Sequence, residues 1–245
     1  MVCSGGPLLV RAWMQQVAQL RRKGVEIIWV TSGAIASAVD RTELGARKGK
    51  RKLAEKQALA SIGQPIVMDL YNIALAANGL LGAQLLLTYD DIADRSRCAN
   101  FRTTLEKLIE WQVVPVINEN DTVATEEIRF GDNDSLSAKV ARVAHAERLV
   151  ILTDVDGLYD KDPKTSSSAR LIQRLPTVTQ KLLSSVAPTA GSTRGTGGMY
   201  SKLNAAREAA RAGIETWLVK GDLPAVLMQI AENRSVGTLV ERGAK

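Results

Sequence analysis

Residues Pro115 to Ser137 read PVINENDTVATEEIRFGDNDSLS, and the fold follows from how this stretch divides. The apolar run Val113 to Ile117 reads as a buried strand. It stops at Asn118-Glu119-Asn120-Asp121. A second polar cluster, Gly131-Asp132-Asn133-Asp134, opens the helical spacing of Leu136, Val140, Val143 and Ala144. Amides and carboxylates are thus gathered at a strand's carboxyl end and at the next helix's start. In α/β sheets ligands bind at that edge. Such groups hold a small ligand by its polar ends, while Asp132 or Asn133 caps the helix. The plainer alternative is a long capped loop between strand and helix.

Toward the N-terminus, Leu9, Trp13, Val17 and Leu20 fall on one helical face, and Gly24 ends that helix. Val25 to Val30 reads as a strand running into Thr31-Ser32-Gly33-Ala34. Small residues after a strand let backbone N–H groups approach an anion or a substrate carboxylate. A helix is expected from about Lys52 to Ile62, ended by Gly63. Pro65 then starts another at its favoured first position, with Ile66, Leu70, Ile73 and Ala77 as its buried stripe. Ala83 to Thr88 is a strand. Arg95, Arg97 and Arg102 form either a phosphate clamp or the charged start of a surface helix. A helix from about Asn100 to Trp111 leads back to the central strand.

Toward the C-terminus, a helix to about Ala146 precedes a strand from Arg148 to Leu152, which ends in Thr153-Asp154-Val155-Asp156-Gly157. Lys161 to Ser168 (KDPKTSSS) is turn-rich, with the composition of a mobile loop or a subdomain junction. A short helix is expected over Thr177 to Ala187. Another carries Leu203, Ala206, Ala209 and Ala210 and ends at Gly213. Glu215 to Val219 is a strand, Pro224 to Ala231 a short helix, and Val236 to Val240 a last strand. This alternation predicts an α/β fold with a mostly parallel sheet covered on both faces.

A chain of 245 residues makes one large α/β domain or two small ones. Hydrophobic residues are 45% and charged residues 24%, the balance of a globular protein. No apolar run approaches the roughly 20 residues needed to span a bilayer, and no charged-then-apolar leader opens the chain. Cys3 and Cys98 are too few for a disulfide framework and lack metal-ligand spacing. The expected compartment is the cytoplasm. The net charge is +6, partly from Arg47-Lys48-Gly49-Lys50-Arg51-Lys52. That run is either a solvated basic loop or a nucleic-acid contact. No aromatic residue sits beside it, so stacking on single strands is unsupported.

Gly195-Thr196-Gly197-Gly198-Met199-Tyr200-Ser201-Lys202 is the second concentration of chemistry. Gly197 and Gly198 permit backbone conformations that aim several N–H groups at one anion. Lys202, one helical turn in, supplies a cation for a moving phosphoryl group. GxxxxGK[ST] is absent, so this is not a Walker A loop. The alternative is a flexible linker before a helix. Two phosphate-competent loops and an acidic–amide cluster point to phosphoryl transfer, which needs placement and charge neutralisation more than covalent chemistry. The single histidine, His145, lies near a helix end, where the dipole suits it. No Ser-His-Asp set and no metal-ligand set is apparent.

These motifs together resemble the amino-acid kinase family, and most closely its members that phosphorylate glutamate. The resemblance is carried by Val30-Thr31-Ser32-Gly33-Ala34-Ile35, by Lys56-Gln57-Ala58-Leu59-Ala60-Ser61-Ile62-Gly63-Gln64, and by Pro115 through Asp121. It continues in Gly131 through Asp134, Leu152-Thr153-Asp154, Gly157-Leu158-Tyr159 and Gly195 through Met199. It implies a three-layer αβα sandwich with a mainly parallel central sheet. It implies a single domain over 1–245, with about 1–147 binding the amino acid and about 148–245 binding ATP. It implies transfer of the ATP γ-phosphate to the γ-carboxylate of L-glutamate, the first step of proline synthesis, with Mg2+ accompanying ATP. Ser32, Asp121 and Asn133 would hold glutamate. Thr153, Asp154, Thr196, Gly197, Gly198, Met199, Tyr200, Ser201 and Lys202 would contact ATP. Lys202 would neutralise transition-state charge, with Asp134 orienting it. The resemblance also implies inhibition by proline near the glutamate site and a homo-oligomer, dimer or tetramer. The family opens with a strand reading roughly V-V-K-x-G-S, and many members close with a small PUA-type domain. Against that pattern the chain is expected to lack both. The resemblance leaves two alternatives: a form that binds ATP or glutamate without turnover, or a relative acting on aspartate, acetylglutamate, carbamate or a nucleotide.

Overall fold

The computed structural model describes residues 2–42, 44, 51–124, 133–163, 165–186 and 198–243. The chain divides into two compact units, Met1–Phe130 and Gly131–Lys245.

The first unit holds a parallel sheet in the order β1 (Trp29–Val30), β3 (Val114–Glu119), β2 (Gly82–Leu87). Every residue of β3 is buried, as befits a near-continuous apolar run at the centre of a parallel sheet. Pro115 is an uncommon residue for such a strand, because it has no N–H to give a ladder. Its position resolves this. Val114 donates to Leu81 on the β2 side at 2.8 Å, and the Ile117 carbonyl accepts from Thr31 on the β1 side at 2.8 Å. Alternation therefore aims the missing Pro115 donor toward β1, just before pairing begins at Trp29↔Val116. The same gap shortens β1. The expected strand over Val25–Val30 is reduced to Trp29–Val30, because Ile27 and Ile28 face a proline that cannot extend the ladder.

Helix α1 (Val2–Arg22) breaks at Gly6 and then presents Trp13, Met14 and Val17 to the core. Helix α2 (Ala34–Arg41) follows β1. Helix α3 (Leu53–Ala76) is one continuous helix with Pro65 inside it, where two had been expected. Gly63 does not end it. A Cβ on Gly63 would lie 1.7 Å from the Ala34 carbonyl oxygen and 3.0 Å from the Ala38 amide nitrogen. The glycine is there to let α2 touch α3. The expected buried stripe also fails: Ile73 is 58% exposed, while Val67, Met68, Tyr71, Ala74 and Leu75 are buried. A break at Gly63 would have reset the helical phase, whereas continuity turns the other face inward. By length and composition alone α3 could cross a membrane, contrary to the expectation, though half of its most apolar window is buried inside the fold. Helices α4 (Tyr89–Ala93) and α5 (Arg95–Glu110) complete the unit. Asp94 caps α5 by accepting from the Arg97 amide at 2.8 Å, and Arg97 pairs with Asp91 at 3.3 Å. Arg102 pairs with Glu106. Arg95 and Arg97 thus stand in the first turn of a surface helix, and Arg102 in its middle.

The second unit has the strand order β4 (Arg148–Thr153), β6 (Glu215–Lys220), β7 (Thr238–Val240), β5 (Arg174–Leu175). Of the three pairings between these strands, β4–β6 and β5–β7 are parallel and β6–β7 is antiparallel. The two-residue β5 is too short for periodicity to reveal. Helices α6 (Asn133–Val143), α7 (Gln180–Ser185), α8 (Met199–Arg211) and α9 (Val226–Ala231) accompany the sheet. Leu183, Leu203, Ala206, Ala209 and Leu218 form the centre of its core. Thr179 caps α7 through the Leu182 amide.

Candidate functional site

In the first unit the carboxyl ends of all three parallel strands lie at one sheet edge. Val30 leads there into Thr31-Ser32-Gly33, and Glu119 into Asn120-Asp121. Ser32 and Asp121 therefore follow neighbouring strands at the edge where α/β folds bind ligands. Both are half-buried. Gly33 has φ 100 and precedes α2, a left-handed conformation that favours glycine. Thr31 is buried and donates to the Tyr71 hydroxyl at 3.0 Å. At the end of β3, Asn118 and Glu119 are buried. The Asn118 side chain donates to Gln64 Oε1 at 2.8 Å and accepts from the Glu119 amide at 2.9 Å.

In the second unit the first turns of α6 and α8 meet in a polar cluster. Asp134 Oδ2 accepts from Lys202 Nζ at 3.0 Å and from Ser201 Oγ at 2.7 Å. Lys202 is only 7% exposed. A buried ammonium in the first turn of a helix faces the positive end of that helix's dipole. Its position is unfavourable without an anion, and Asp134 supplies one. Asp134 is itself well placed, since a carboxylate suits the first turn of α6. The cluster holds a cation and two helix N-termini ready for further negative charge. Asn133, half-buried, begins α6.

In the same unit, β4 ends in the buried Thr153, whose hydroxyl donates to Asp154 at 3.2 Å. Thr153 is in register with Lys220 at the end of β6, and the Gly221 amide donates to the Thr153 carbonyl at 2.9 Å. Lys220-Gly221-Asp222 was not singled out from sequence. Its signal was its place at the end of an apolar strand beside Thr153-Asp154. Thr196 and Gly197, like Asp132, lie outside the described residues. Gly198 precedes α8 with φ −75, and a Cβ there would meet nothing within 4 Å. Its backbone is therefore ordinary, and the special conformation expected of it is not used. Met199, Tyr200, Ser201 and Lys202 form the first turn of α8. Among the described residues, no three His, Cys, Asp or Glu side chains gather as a metal-binding group. Of the basic run, Arg47 to Lys50 lie outside the described residues. The Lys52 amide begins α3 by donating to Glu55 at 2.8 Å.

Comparison with known proteins gives this geometry a context. The model of the amino acid kinase family matches residues 2–220. A glutamate 5-kinase of Caldanaerobacter subterraneus subsp. tengcongensis is 44% identical over 225 residues, covering 92% of this chain and 60% of that protein. One from Geobacter sulfurreducens is 47% identical over 224 residues, covering 91% of this chain and 59% of that protein. The chain thus spans about 60% of the length of these curated relatives. Among solved structures, the isopentenyl phosphate kinase of T. acidophilum superposes with a TM-score of 0.64 at 17% identity, over 96% of this chain and 91% of that one. At that identity the likeness is one of fold, an α/β sandwich with predominantly parallel strands.

Proposed function

We propose that this chain, which belongs to the amino acid kinase family, transfers the γ-phosphoryl group of ATP to the γ-carboxylate of L-glutamate. The product would be L-glutamyl 5-phosphate, made in the first step of proline biosynthesis. The observation that carries the proposal is the buried Asp134–Lys202 pair with Ser201 between two helix N-termini. Its near relatives by sequence, named glutamate 5-kinases, supply the substrate.

The chemistry asks for what these residues provide. A carboxylate acceptor is ionised at neutral pH, so the enzyme needs no general base. Attack by the acceptor oxygen on the γ-phosphorus breaks the bond to the β-bridging oxygen and releases ADP. Negative charge spreads over the transferring oxygens, and Lys202 is the cation placed to follow it. Asp134 fixes the Lys202 ammonium so that little reorganisation is left for the transition state. Ser32, Asp121 and Asn133 hold glutamate. Thr153, Asp154, Thr196, Gly197, Gly198, Met199, Tyr200 and Ser201 contact ATP along with Lys202. Mg2+ arriving with ATP would be held chiefly by phosphate oxygens and water and would offset phosphate charge. The N-terminal part of the domain takes the amino acid and the C-terminal part ATP. Proline acts as feedback inhibitor, the assembly is a homo-oligomer, and the compartment is the cytoplasm.

An acceptor panel tests the substrate. With ATP, magnesium and hydroxylamine, an acyl phosphate is trapped as a coloured hydroxamate. We expect hydroxamate from L-glutamate and little from aspartate or N-acetylglutamate. Saturation by N-acetylglutamate but not glutamate would replace the assignment.

A further inference from the structure

The motif Lys56–Gln64 has no role in the chemistry above, yet α3 reaches both candidate glutamate-binding segments of the first unit. Gln57, Ser61 and Gln64 stand at positions i, i+4 and i+7, which share one face of a helix. Gln64 meets the end of β3, and Ser61 and Gln57 meet the segment that follows it. Gln64 Oε1 accepts from Asn118 Nδ2 at 2.8 Å, with both side chains buried. Ser61 Oγ lies 3.2 Å from the Thr122 hydroxyl. Gln57 Nε2 donates to the Ala124 carbonyl at 3.2 Å. Asp121 lies between the contacts at Asn118 and at Thr122. The neighbouring Gly63 meets the other segment, since only a residue without a Cβ lets the Ala34 carbonyl come this close. Ala34 is two residues from Ser32.

We propose that this turn of α3 sets the separation between Ser32 and Asp121, with Gln57, Ser61 and Gln64 as positioning residues for the amino-acid substrate. The proposal rests on the assignment of Ser32 and Asp121 to glutamate binding. A long helix suits the task because both loops are then referred to one rigid element. Gln64 carries most of the effect, because its bond is buried and water cannot replace it. Ser61 is exposed and contributes least.

The test compares the parent chain with Gln64→Leu, Gln64→Glu and Gln57→Ala. Leucine removes the acceptor for Asn118, whereas glutamate keeps an oxygen there. Amide hydrogen exchange over residues 114–124 is measured without ligands, and KM for glutamate and for ATP is measured separately. We expect faster exchange at 118–124 in Gln64→Leu. Its KM for glutamate should rise roughly tenfold, the scale of one lost hydrogen bond, with KM for ATP unchanged. Gln64→Glu should recover much of both effects. Gln57→Ala, at a half-buried site, should show a smaller change in the same direction, and it serves if Gln64→Leu fails to fold. Unchanged exchange and glutamate KM in the variants would overturn the positioning role while leaving the kinase assignment standing. An equal rise in both KM values would also overturn it, since that marks general loosening. A parent chain with no response to glutamate would refute the kinase assignment, and exchange at 118–124 alone would then decide whether α3 holds this loop.

Discussion

At the scale of single residues, the tightest coupling is between Asp134 and Lys202. Removing Asp134 alone strands a buried ammonium at a helix N-terminus, so Asp134→Ala should lower stability by about 3 kcal/mol, at the lower end for a broken buried pair. The double variant Asp134→Ala/Lys202→Met should lose clearly less than the sum of its singles, as read by urea denaturation. Additivity within about 0.5 kcal/mol would show the pair to be uncoupled. Gly63→Ala forces a methyl group onto a backbone carbonyl 1.7 Å away. Backbone cannot swing aside as a flexible side chain can, so we expect a loss of about 1–3 kcal/mol or more. Calorimetry would show this as a fall in Tm of several degrees, and an unchanged Tm would refute the tight contact. The sequence exposed these residues unequally. Lys202 and Asp134 stood out because charge at a helix start is conspicuous. Gln64 did not, because its partner Asn118 lies 54 positions away and an amide in an apolar helix carries no periodic signal. Gly63 is visible in the sequence but reads there as a helix end, since a glycine that admits a neighbour and one that stops a helix look alike in one dimension.

At the scale of elements, strands and helices followed largely from periodicity, and the departures came from tertiary context. β1 is short because its partner strand carries Pro115. α3 runs through Pro65, which stands on an exposed part of the helix. A proline inside a helix forgoes one backbone hydrogen bond and crowds the preceding turn. Pro65→Ala should therefore raise stability by about 1–3 kcal/mol, measured by urea denaturation. A loss would mean that Pro65 supports the contact between Gly63 and Ala34. The chain alternation was enough to indicate parallel strands, because crossover helices between strands demand them. It gave no sign of the antiparallel β6–β7 pair, which depends on a short return from α9 to β7. The role of Gly198 was also beyond sequence, since a glycine at an open position and one at a strained position are written the same way.

At the scale of the whole molecule, alkaline pH offers a specific test of the first unit's core. Burial pushes the Tyr71 phenol above its ordinary value of 10.0, against the opposing effect of the hydrogen bond from Thr31. Above pH 10 the unfolded tyrosine gives up its proton while the folded one keeps it. The folded state then binds more protons, so stability falls as pH rises through and beyond 10. Tyr71→Phe should be less stable at neutral pH, through loss of the Thr31 bond, and should show a shallower decline above pH 10. Equal slopes in the two proteins would contradict the buried neutral phenol. The net charge of +6 gave no comparable guide, because a basic balance fits nucleic-acid binding and a basic surface equally well. The most direct test of the proposed function is the rate of ADP release from ATP and magnesium, with and without L-glutamate, for the parent chain and Lys202→Met. We predict release that depends on glutamate and falls by about 10²–10³ without the lysine, the usual effect of removing one preorganised charge donor. Release that ignores glutamate, or that survives undiminished in Lys202→Met, would contradict it.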